Sequence, residues 1–424
     1  MNDLHVISWN VTRRCNLSCA HCYLPAVTRN EWPGTSPVDE LTTQEAFQLI
    51  DQIGLVNPEV MLILSGGEPM LRQDIFELSA YASEKGMMVV LGSNGVLIDK
   101  PVARLMKRSG VSGISISLDS VLPEVHDAIR SCPGAWKQAV AAIKHCTNEG
   151  LSVQINTVVT SRNFDKLPEM TAYARSLGAT VYSPFFLVCT GRGEELTDIS
   201  PQQYEQVLSF VVESQGNNNG MMIRTRCAPT VRRILYERNP DSPLLKMGIG
   251  RCLAGRSYCR ISPEGDVTPC PYLPLAAGNI REKDFTDIWN NAGLFGSLRK
   301  QALKGKCSAC TFRLLCGGCR ARAYAAHKDH LEEDPWCDHV PRGGDVIQST
   351  TLEKDPIKAA DVGDMPLWTK EAEDRLKRVP SFVRAMVRKA VELYAVEHHC
   401  REITPNMMEE LKQKAGMGGM HGPR

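Results

Sequence analysis

The 424-residue sequence lacks a marked excess of either charge and lacks a long apolar run. Its 49 Lys and Arg residues nearly balance 48 Asp and Glu residues, so the formal net charge is +1. This balance does not favour binding to nucleic acid or to an anionic membrane surface. No run of about 18 apolar residues occurs, which argues against a membrane-spanning helix. Residues 1–5 have neither a basic start nor an apolar core, so we expect no signal peptide and a cytoplasmic protein.

Cysteine, by contrast, is abundant. Sixteen cysteines in a chain expected to stay in a reducing compartment indicate metal ligation rather than disulfides. Cys15, Cys19 and Cys22 are separated by three and then two residues and follow an apolar run at 6–11. This spacing suits a four-iron cluster with one iron left open for a ligand. Zinc is the structural alternative, but zinc sites usually come as paired Cys-x-x-Cys knuckles, and this triplet has no nearby fourth ligand.

A second motif lies at a fitting distance behind the triplet. Residues 60–64 read as a buried parallel strand, and Gly66, Gly67, Glu68 and Pro69 follow at its end. The two glycines let the backbone approach a ligand closely, while Glu68 offers a carboxylate to an ammonium group. A Gly-Gly-Glu turn alone is weak evidence, but behind a cysteine triplet it supports a cofactor site.

Six strand-like runs alternate with amphipathic helical stretches up to about residue 215. The runs are 6–11, 60–64, 87–91, 113–118, 153–159 and 181–188. Strict alternation predicts an α/β fold with a parallel sheet, because parallel neighbours need crossover helices between them. Functional side chains in such folds lie at the carboxyl ends of the strands. The cysteine triplet, the turn at 66–68 and the residues Asn94, Ser117 and Asn156 all fall there.

Together these motifs resemble the radical S-adenosylmethionine (radical SAM) enzymes. The resemblance implies a partial (β/α)6 barrel with one catalytic [4Fe–4S] cluster on Cys15, Cys19 and Cys22. S-adenosylmethionine would bind the open iron, and its cleavage would yield a 5′-deoxyadenosyl radical. In the family, the segment with Gly66, Gly67, Glu68 and Pro69 holds the amino group of this cofactor. Candidate contacts to its ribose, carboxylate or adenine are Asn94, Ser117 and Asn156, for which an ordinary strand-end cap is the structural alternative.

The segment from 251 to about 338 is dense in cysteine and glycine. It has few long apolar runs and cannot support itself by core burial alone, so we expect metal ligation, with zinc knuckles as the alternative to iron. The cysteine order resembles the SPASM extension of radical SAM enzymes, which implies one or two auxiliary [4Fe–4S] clusters. By position, one set of ligands is Cys252, Cys259, Cys270 and Cys319, and the other is Cys307, Cys310, Cys316 and Cys337. Two residues separate Cys316 from Cys319, where the common SPASM pattern has three.

Helical periodicity returns after about residue 355, where cysteines become rare. Thr369 is the predicted N-cap of one helix, and Thr404 caps a second with Pro405 at its first position. This tail resembles the small C-terminal domain of the light-independent protochlorophyllide reductase. We therefore expect a radical SAM barrel at 1–220, a SPASM-type domain at 221–345, and a linker with a small helical domain at 346–424. Residues 416–424 are expected to be disordered.

Several segments, among them 190–193 and 319–323, resemble the tetrapyrrole-modifying branch of the family. That branch includes the enzyme that decarboxylates iron-coproporphyrin III in the alternative heme pathway. The resemblance implies a small-molecule substrate, an iron-tetrapyrrole, and an electron donor of the ferredoxin or flavodoxin type. Because arginine forks match carboxylates, we expect cationic partners for substrate propionates. The candidates are Arg192, Arg226, Arg320 and Arg322, each with a solvated surface group as its alternative.

Other functions remain open at this point. The same two modules occur in enzymes that mature peptides and sulfatases and in proteins that modify a tungsten cofactor. A non-catalytic iron–sulfur carrier is an alternative from another class, although a carrier needs no cradle for S-adenosylmethionine. Uncoupled cleavage separates the classes, because a reduced enzyme should release 5′-deoxyadenosine and a carrier none.

Overall fold

The structure is a computed structural model that describes residues 4–24, 26–28, 39–188, 199–215, 220–246, 251–300, 302–347, 366–377, 379, 387–388, 390–392, 394–396, 398 and 400–414. Its strands are β1 (Val6–Asn10), β2 (Arg14–Cys15), β3 (Val27–Thr28), β4 (Met61–Ser65), β5 (Met88–Ser93), β6 (Gly113–Ser117), β7 (Ser152–Val159), β8 (Val181–Phe186), β9 (Met222–Ile223), β10 (Tyr258–Ile261), β11 (Asp266–Thr268), β12 (Gly278–Asn279), β13 (Leu367–Trp368) and β14 (Glu402–Ile403).

Helices cover the connections between these strands. They are α1 (Thr43–Val56), α2 (Ile75–Glu84), α3 (Lys100–Arg108), α4 (Pro123–Arg130), α5 (Ala135–Asn148), α6 (Leu167–Ser176), α7 (Pro201–Ser214), α8 (Val231–Arg238), α9 (Pro243–Lys246), α10 (Phe285–Asn291), α11 (Gly293–Lys300), α12 (Gly305–Ala309), α13 (Arg320–His327) and α14 (Lys370–Lys377). A further helix, Pro405–Lys414, lies near the end of the described chain.

The centre of the molecule is a ten-stranded sheet in the order β12-β11-β10-β1-β4-β5-β6-β7-β8-β9. Strands β1, β4, β5, β6, β7 and β8 pair in parallel and follow the chain order. Each crossover between them contains at least one helix, as parallel pairing requires. All six predicted runs form these strands, so the expected partial (β/α)6 barrel is confirmed.

Side chains of the barrel strands alternate between two environments. One face carries apolar side chains that are fully buried under the helices, for example Leu62, Leu64, Ile114 and Ile116. Each such side chain contributes about 1.5–3 kcal/mol to folding. The opposite face, which we call the polar face, carries Asn10, Ser65, Ser115, Ser117, Gln154, Asn156 and Ser183, which are neighbours in register. Because buried parallel sheets are normally apolar on both faces, a polar inner face indicates a binding surface for a hydrophilic ligand.

The cysteine-rich segment continues the same sheet. Strand β10 pairs in parallel with the free edge of β1, with Cys259 opposite Ile7 and Ile261 opposite Trp9. Strands β11 and β12 then add in antiparallel order. The sequence did not predict this pairing, which brings the segment next to the strand that precedes the cysteine triplet.

The tail forms a small core of its own, made of Ala372, Leu376, Val391, Ala395, Ile403 and Met408. The predicted cap is confirmed, since the amide of Ala372 donates to Thr369 Oγ1 at 3.2 Å. The second helix starts at Pro405, as predicted. A short parallel pair, β13 with β14, was not predicted. Residues 416–424, expected to be disordered, lie outside the described residues.

Candidate active site

The loop after β1 places three thiols in one partly apolar wall. Cys15 and Cys19 are buried and Cys22 is half-buried, and all three pack with Leu17 and Leu24. The amide of Leu17 lies 3.4 Å from Cys15 Sγ, a distance suited to a weak N–H···S hydrogen bond. Burial raises the pKa of Cys15 to about 12, and nearby Glu68 adds to this. A thiol with a raised pKa keeps its proton at neutral pH, so metal binding at this loop requires that the metal displace that proton.

The turn after β4 is tied to the segment that leads into this loop. The amide of Gly67 donates to the carbonyl of Thr12 at 2.8 Å, and the amide of Glu68 donates to that of Arg14 at 2.7 Å. A Cβ at Gly67 would lie 2.1 Å from the Arg14 carbonyl oxygen, and Gly66 has a φ of +149°. Both positions therefore require glycine, because any side chain would push the turn away from the cysteine loop.

Glu68 is used differently from the expected contact with an ammonium group. Its carboxylate is fully buried and accepts hydrogen bonds from Ser93 Oγ, the amide of Asn94 and the amide of Met70. Three of about four acceptor positions are therefore filled by the protein. Burial raises the pKa of Glu68 to about 7. In the described structure Glu68 fixes the turn against the end of β5.

The three strand-end residues have distinct surroundings. Asn94 Nδ2 donates to Asn16 Oδ1 at 2.8 Å, and Asn94 Oδ1 accepts from the amide of Val96. Asn94 thus caps its own turn and also supports the cysteine loop. Ser117 and Asn156 lie opposite each other on the polar face, and Asn156 Oδ1 accepts from Gln154 at 2.6 Å. These two positions suit contacts with a ligand on that face.

A charged group that the sequence analysis did not select adjoins the triplet. Arg130 donates to Asp119 Oδ2 at 2.7 Å, and its Nη1 lies 3.9 Å from Cys19 Sγ. Although burial alone would raise the pKa of Asp119, the guanidinium of Arg130 and the adjacent His126 hold it below its usual range. Arg130 therefore keeps a positive charge beside the cysteine loop. Arg130 lies 11 residues after Asp119 in the sequence. The two side chains meet because the chain turns after β6 into α4, which ends at Arg130.

A first group of four thiols gathers where the cysteine-rich segment meets the barrel. Burial raises the pKa of Cys270 well above its usual value, and three neighbouring thiols add to this effect. They belong to Cys252, Cys319 and Cys227. Cys227 follows β9 with a φ of +56°, a costly conformation for a residue with a side chain. We call these four residues the first auxiliary group.

Cys259 does not join the first auxiliary group, although it was expected there. It lies in the middle of β10, is fully buried and packs into the main apolar core with Ile261. The alternation along β10 turns Cys259 and Ile261 toward the core and Tyr258 and Arg260 toward the other face. Cys227 was not among the expected ligands because it lies 25 residues before Cys252, outside the cysteine-rich segment. Its only signal was a lone cysteine between Arg226 and the start of α8.

The second auxiliary group is the set of four cysteines that line one cavity, Cys307, Cys310, Cys316 and Cys337. Gly317 and Gly318 both have positive φ, and a Cβ at Gly318 would lie 3.4 Å from Cys307 Sγ. These two glycines reverse the backbone between the groups, so that Cys316 faces Cys337 while Cys319 faces Cys252. The two-residue spacing in the sequence therefore fits a division of the cysteines into two groups.

Both auxiliary groups have the donor chemistry of iron–sulfur sites. Across the part of the chain that the structure describes, no three His, Cys, Asp or Glu side chains converge tightly enough to hold a single metal ion. A four-iron cluster keeps its thiolate ligands apart, because sulfide-bridged irons lie between them. Four shielded thiols around a glycine-lined space fit such a cluster.

Two of the four candidate arginines serve the fold rather than a ligand. Arg322 pairs with Asp334 at 2.7 Å, its guanidinium lies over the rings of Tyr204 and Trp336, and the side chain is buried. Arg320 is buried and donates to the carbonyls of residues 330 and 332. The fold already uses both guanidinium groups, and their expected contact with propionates stays a prediction. Arg226 is half-buried next to Cys227, and Arg192 lies outside the described residues.

Comparison with known proteins agrees with this geometry. Residues 9–174 match the radical SAM superfamily, and residues 252–311 match the SPASM iron–sulfur cluster-binding domain. An AdoMet-dependent heme synthase of Methanosarcina barkeri is 39% identical over 349 residues, which cover 80% of this chain and 98% of that protein. The chain belongs to the radical SAM family.

Two further similarities place this radical SAM enzyme among its relatives. The mycofactocin maturase MftC of Mycolicibacterium smegmatis is 32% identical over 381 residues, covering 88% of this chain and 90% of that protein. Streptococcus suis SuiB, solved with S-adenosylmethionine, superimposes with a TM-score of 0.64 at 19% identity, covering 80% of this chain and 78% of that one. At this identity the likeness to SuiB concerns the fold alone.

Family membership also fixes the cofactors. The radical SAM enzyme uses S-adenosylmethionine and a [4Fe–4S] cluster, and its SPASM domain binds auxiliary iron–sulfur clusters. Residues 368–412 match the 57 kD subunit of proto-chlorophyllide reductase, in agreement with the resemblance of the tail. Within the described ranges, no helix has both the length and the apolar character needed to cross a membrane.

Proposed function

We propose that this radical SAM enzyme modifies a carboxylate side chain of an iron-tetrapyrrole, most simply by oxidative decarboxylation of a propionate in heme biosynthesis. The observation that carries the proposal is the 39% identity with an AdoMet-dependent heme synthase across 98% of that protein. A match of this extent covers 80% of this chain. The substrate is accordingly a small molecule rather than a nucleic acid or a membrane component.

The structure of the polar face also supports this proposal. An apolar sheet face would exclude an anionic substrate, whereas Ser117, Asn156 and Ser183 line this face with hydrogen-bonding groups. Conversion of a propionate to a vinyl group removes a hydrogen atom, carbon dioxide and one electron, and an auxiliary iron–sulfur cluster would accept that electron. When bound, S-adenosylmethionine supplies the 5′-deoxyadenosyl radical that takes the hydrogen atom. The protein's task is to orient the side chain and to exclude water from the reacting carbon.

The cysteine triplet is the proposed ligand set of the catalytic cluster. The backbone of the turn at Gly66 and Gly67, held in place by Glu68, would present acceptor atoms to the amino group of S-adenosylmethionine. Pro69, Asn94, Ser117 and Asn156 complete this proposed cofactor site. Replacing Cys15, Cys19 and Cys22 by alanine should abolish 5′-deoxyadenosine formation while auxiliary iron remains, and retained cleavage would overturn the assignment.

The two auxiliary groups are the proposed ligand sets of two further [4Fe–4S] clusters. One set is Cys227, Cys252, Cys270 and Cys319, and the other is Cys307, Cys310, Cys316 and Cys337. Each set supplies four buried or half-buried thiols, so neither leaves an iron open for substrate. Reductive cleavage consumes an electron, and we propose a ferredoxin- or flavodoxin-type protein as its donor.

The test is anaerobic incubation of the reconstituted enzyme with iron-coproporphyrin III, S-adenosylmethionine and a reductant. We expect 5′-deoxyadenosine and a tetrapyrrole that has lost carboxyl mass, both detected by mass spectrometry. The similarity to MftC favours one alternative, a peptide maturase. An unchanged tetrapyrrole together with modification of a peptide encoded by a neighbouring gene would replace the proposal with that alternative.

A further inference from the structure

Arg224 lies at the polar face, directly after β9. The register of β8 with β9 places Tyr182 opposite Ile223, and the isolated bridge between Phe185 and Arg226 keeps the same offset. Arg224 is therefore the neighbour of Ser183, which is itself paired with Asn156 of β7. Ile223 turns into the apolar core, so Arg224 and Arg226 share the opposite face.

The guanidinium of Arg224 has no carboxylate partner among the described residues. Its Nη2 donates to the side-chain oxygen of Gln154, a neutral amide. Its Nε is shielded from solvent and has no hydrogen-bond partner. Burial, together with a smaller effect of the nearby charge of Arg226, lowers the pKa of Arg224 to about 9. A shielded cation held in this way is left with unused hydrogen-bonding capacity.

A second unsatisfied group adjoins Arg224. The hydroxyl of Ser183 is fully buried and has no hydrogen-bond partner in the described structure. Two orphaned polar groups on neighbouring strands, both on the polar face, indicate a ligand that satisfies both. A group with two acceptor oxygens fits this pair, since one oxygen accepts from the guanidinium and the other from the hydroxyl.

Other buried arginines of this chain show the contrast. Arg322 is paired with Asp334, Arg130 with Asp119, and Arg233 with Glu205 and Glu237. In these three cases the fold supplies a carboxylate, whereas buried Arg320 and Arg232 donate to backbone carbonyls. At Arg224 the fold supplies only an amide, so the missing anion is expected to come from outside the chain.

We propose that Arg224, with Arg226 beside it and Ser183 opposite, binds a carboxylate group of the substrate on the polar face of the barrel. The inference rests on the proposed function, and it identifies a propionate of the tetrapyrrole as this carboxylate. The carboxylate of S-adenosylmethionine is the other source of the same chemistry. Arg130 beside Cys19 already provides a cation at the cysteine loop, which favours the substrate as the ligand of Arg224.

The experiment compares Arg224→Gln and Arg224→Lys with the wild-type holoenzyme. Arg162→Gln serves as the matched control, because Arg162 is exposed on the surface. Each protein is titrated anaerobically with iron-coproporphyrin III and, separately, with its tetramethyl ester, and binding is followed by absorbance. The dependence of uncoupled 5′-deoxyadenosine formation on S-adenosylmethionine concentration is measured in parallel. Iron content and thermal unfolding establish that each variant is folded.

We expect the wild type to bind the tetracarboxylate more tightly than the ester and Arg224→Gln to weaken tetracarboxylate binding roughly tenfold or more. The affinity for the ester should change little. The affinity of Arg224→Lys for the tetracarboxylate should lie between that of the wild type and that of Arg224→Gln. The half-saturating concentration of S-adenosylmethionine should stay the same.

Three results contradict the inference. The first is that Arg224→Gln and Arg224→Lys both bind the tetracarboxylate with the affinity of the wild type. Another is a selective loss of affinity for S-adenosylmethionine, which would assign Arg224 to that carboxylate. The third is equal weakening of acid and ester binding, which indicates a structural role. If the wild type binds neither tetrapyrrole while it cleaves S-adenosylmethionine, the proposed function itself fails, which is a different outcome from a failure at Arg224 alone.

Discussion

Tyr23 packs against Tyr272, with ring centroids 5.0 Å apart and the rings tilted by 58°. Tyr23 directly follows Cys22 of the cysteine loop, and Tyr272 follows Cys270 of the first auxiliary group by two residues. Tyr272 also contacts Phe185 of β8 at 6.0 Å. Aromatic packing therefore joins the cysteine loop to the loop that carries Cys270.

Replacing Tyr272 by alanine should destabilise this junction. The ring is buried, and loss of a buried aromatic side chain typically costs about 3–5 kcal/mol. We expect a lower Tm and loss of iron from the first auxiliary group. Tyr272→Phe is the matched control, since it keeps the ring packing, and it should behave like the wild type. An unchanged Tm and iron content in Tyr272→Ala would show that the contact contributes little.

The ligand set of the first auxiliary group is tested by a pair of cysteine variants. Cys227→Ala should lose the iron of one auxiliary cluster, because Cys227 lies with the other three thiols. Cys259→Ala should retain all iron and lose only packing energy, because Cys259 is enclosed in the apolar core. Iron content and Mössbauer spectra of the anaerobically reconstituted proteins provide the measurement. Iron loss in Cys259→Ala with full iron in Cys227→Ala would restore the assignment made from the sequence.

Glu68 gives a prediction for the pH dependence of stability. Burial raises its pKa from 4.5 to about 7, so the folded protein binds this proton more tightly than the unfolded chain. The resulting contribution to the free energy of unfolding is fully present below the unfolded pKa and is lost as the pH rises through the folded pKa.

Glu68→Gln has no such proton, so it isolates this contribution. We expect the stability of the wild type relative to Glu68→Gln to fall as the pH rises from about 4.5 to about 7, the unfolded and folded pKa values of Glu68. Thermal unfolding at several pH values in this window measures it. A difference that is constant, or that grows with pH, would mean that Glu68 is ionised throughout.

The buried pair of Arg322 and Asp334 is expected to hold the cysteines of the first auxiliary group in position and not to contact the substrate. Asp334 accepts from the amide of Cys319, and Arg322 donates to the carbonyl of Cys227. Asp334→Asn leaves Arg322 as an uncompensated buried charge, which typically costs about 3–5 kcal/mol. We expect a lower Tm and weaker iron retention, with unchanged tetrapyrrole affinity in the protein that keeps its iron. Reduced tetrapyrrole affinity at full iron content would instead support a direct contact with substrate.

The sequence was sufficient for the barrel because its strands are marked locally. The run 60–64 is apolar throughout and the run 113–118 is apolar at alternate positions. Each is followed by a helical stretch, so run length and periodicity suffice. Pairing of β10 with β1 depends on residues about 250 positions apart, and no local pattern encodes it. The domain boundaries near 220 and 345 remain predictions.

At the candidate site, the sequence indicated which types of residue are involved better than it indicated which contacts each residue makes. The resemblance to the SPASM extension brought Cys307, Cys310, Cys316 and Cys337 together as candidates, and they line one cavity. Spacing could not show that Cys259 faces the core, since this follows from the register of β10. Likewise, Arg322 and Arg224 look alike in the sequence. Only the fold shows that Asp334 neutralises the former and that no carboxylate among the described residues reaches the latter.

The central claim is that the radical formed by this enzyme takes a hydrogen atom from a propionate side chain of an iron-tetrapyrrole. Its most direct test uses iron-coproporphyrin III deuterated at the propionate carbon attached to the ring. The reconstituted enzyme is incubated with this substrate, S-adenosylmethionine and a reductant, and 5′-deoxyadenosine is analysed by mass spectrometry. The account predicts deuterium in 5′-deoxyadenosine together with loss of carboxyl mass from the tetrapyrrole. Formation of unlabelled 5′-deoxyadenosine with an intact, fully deuterated tetrapyrrole would contradict it.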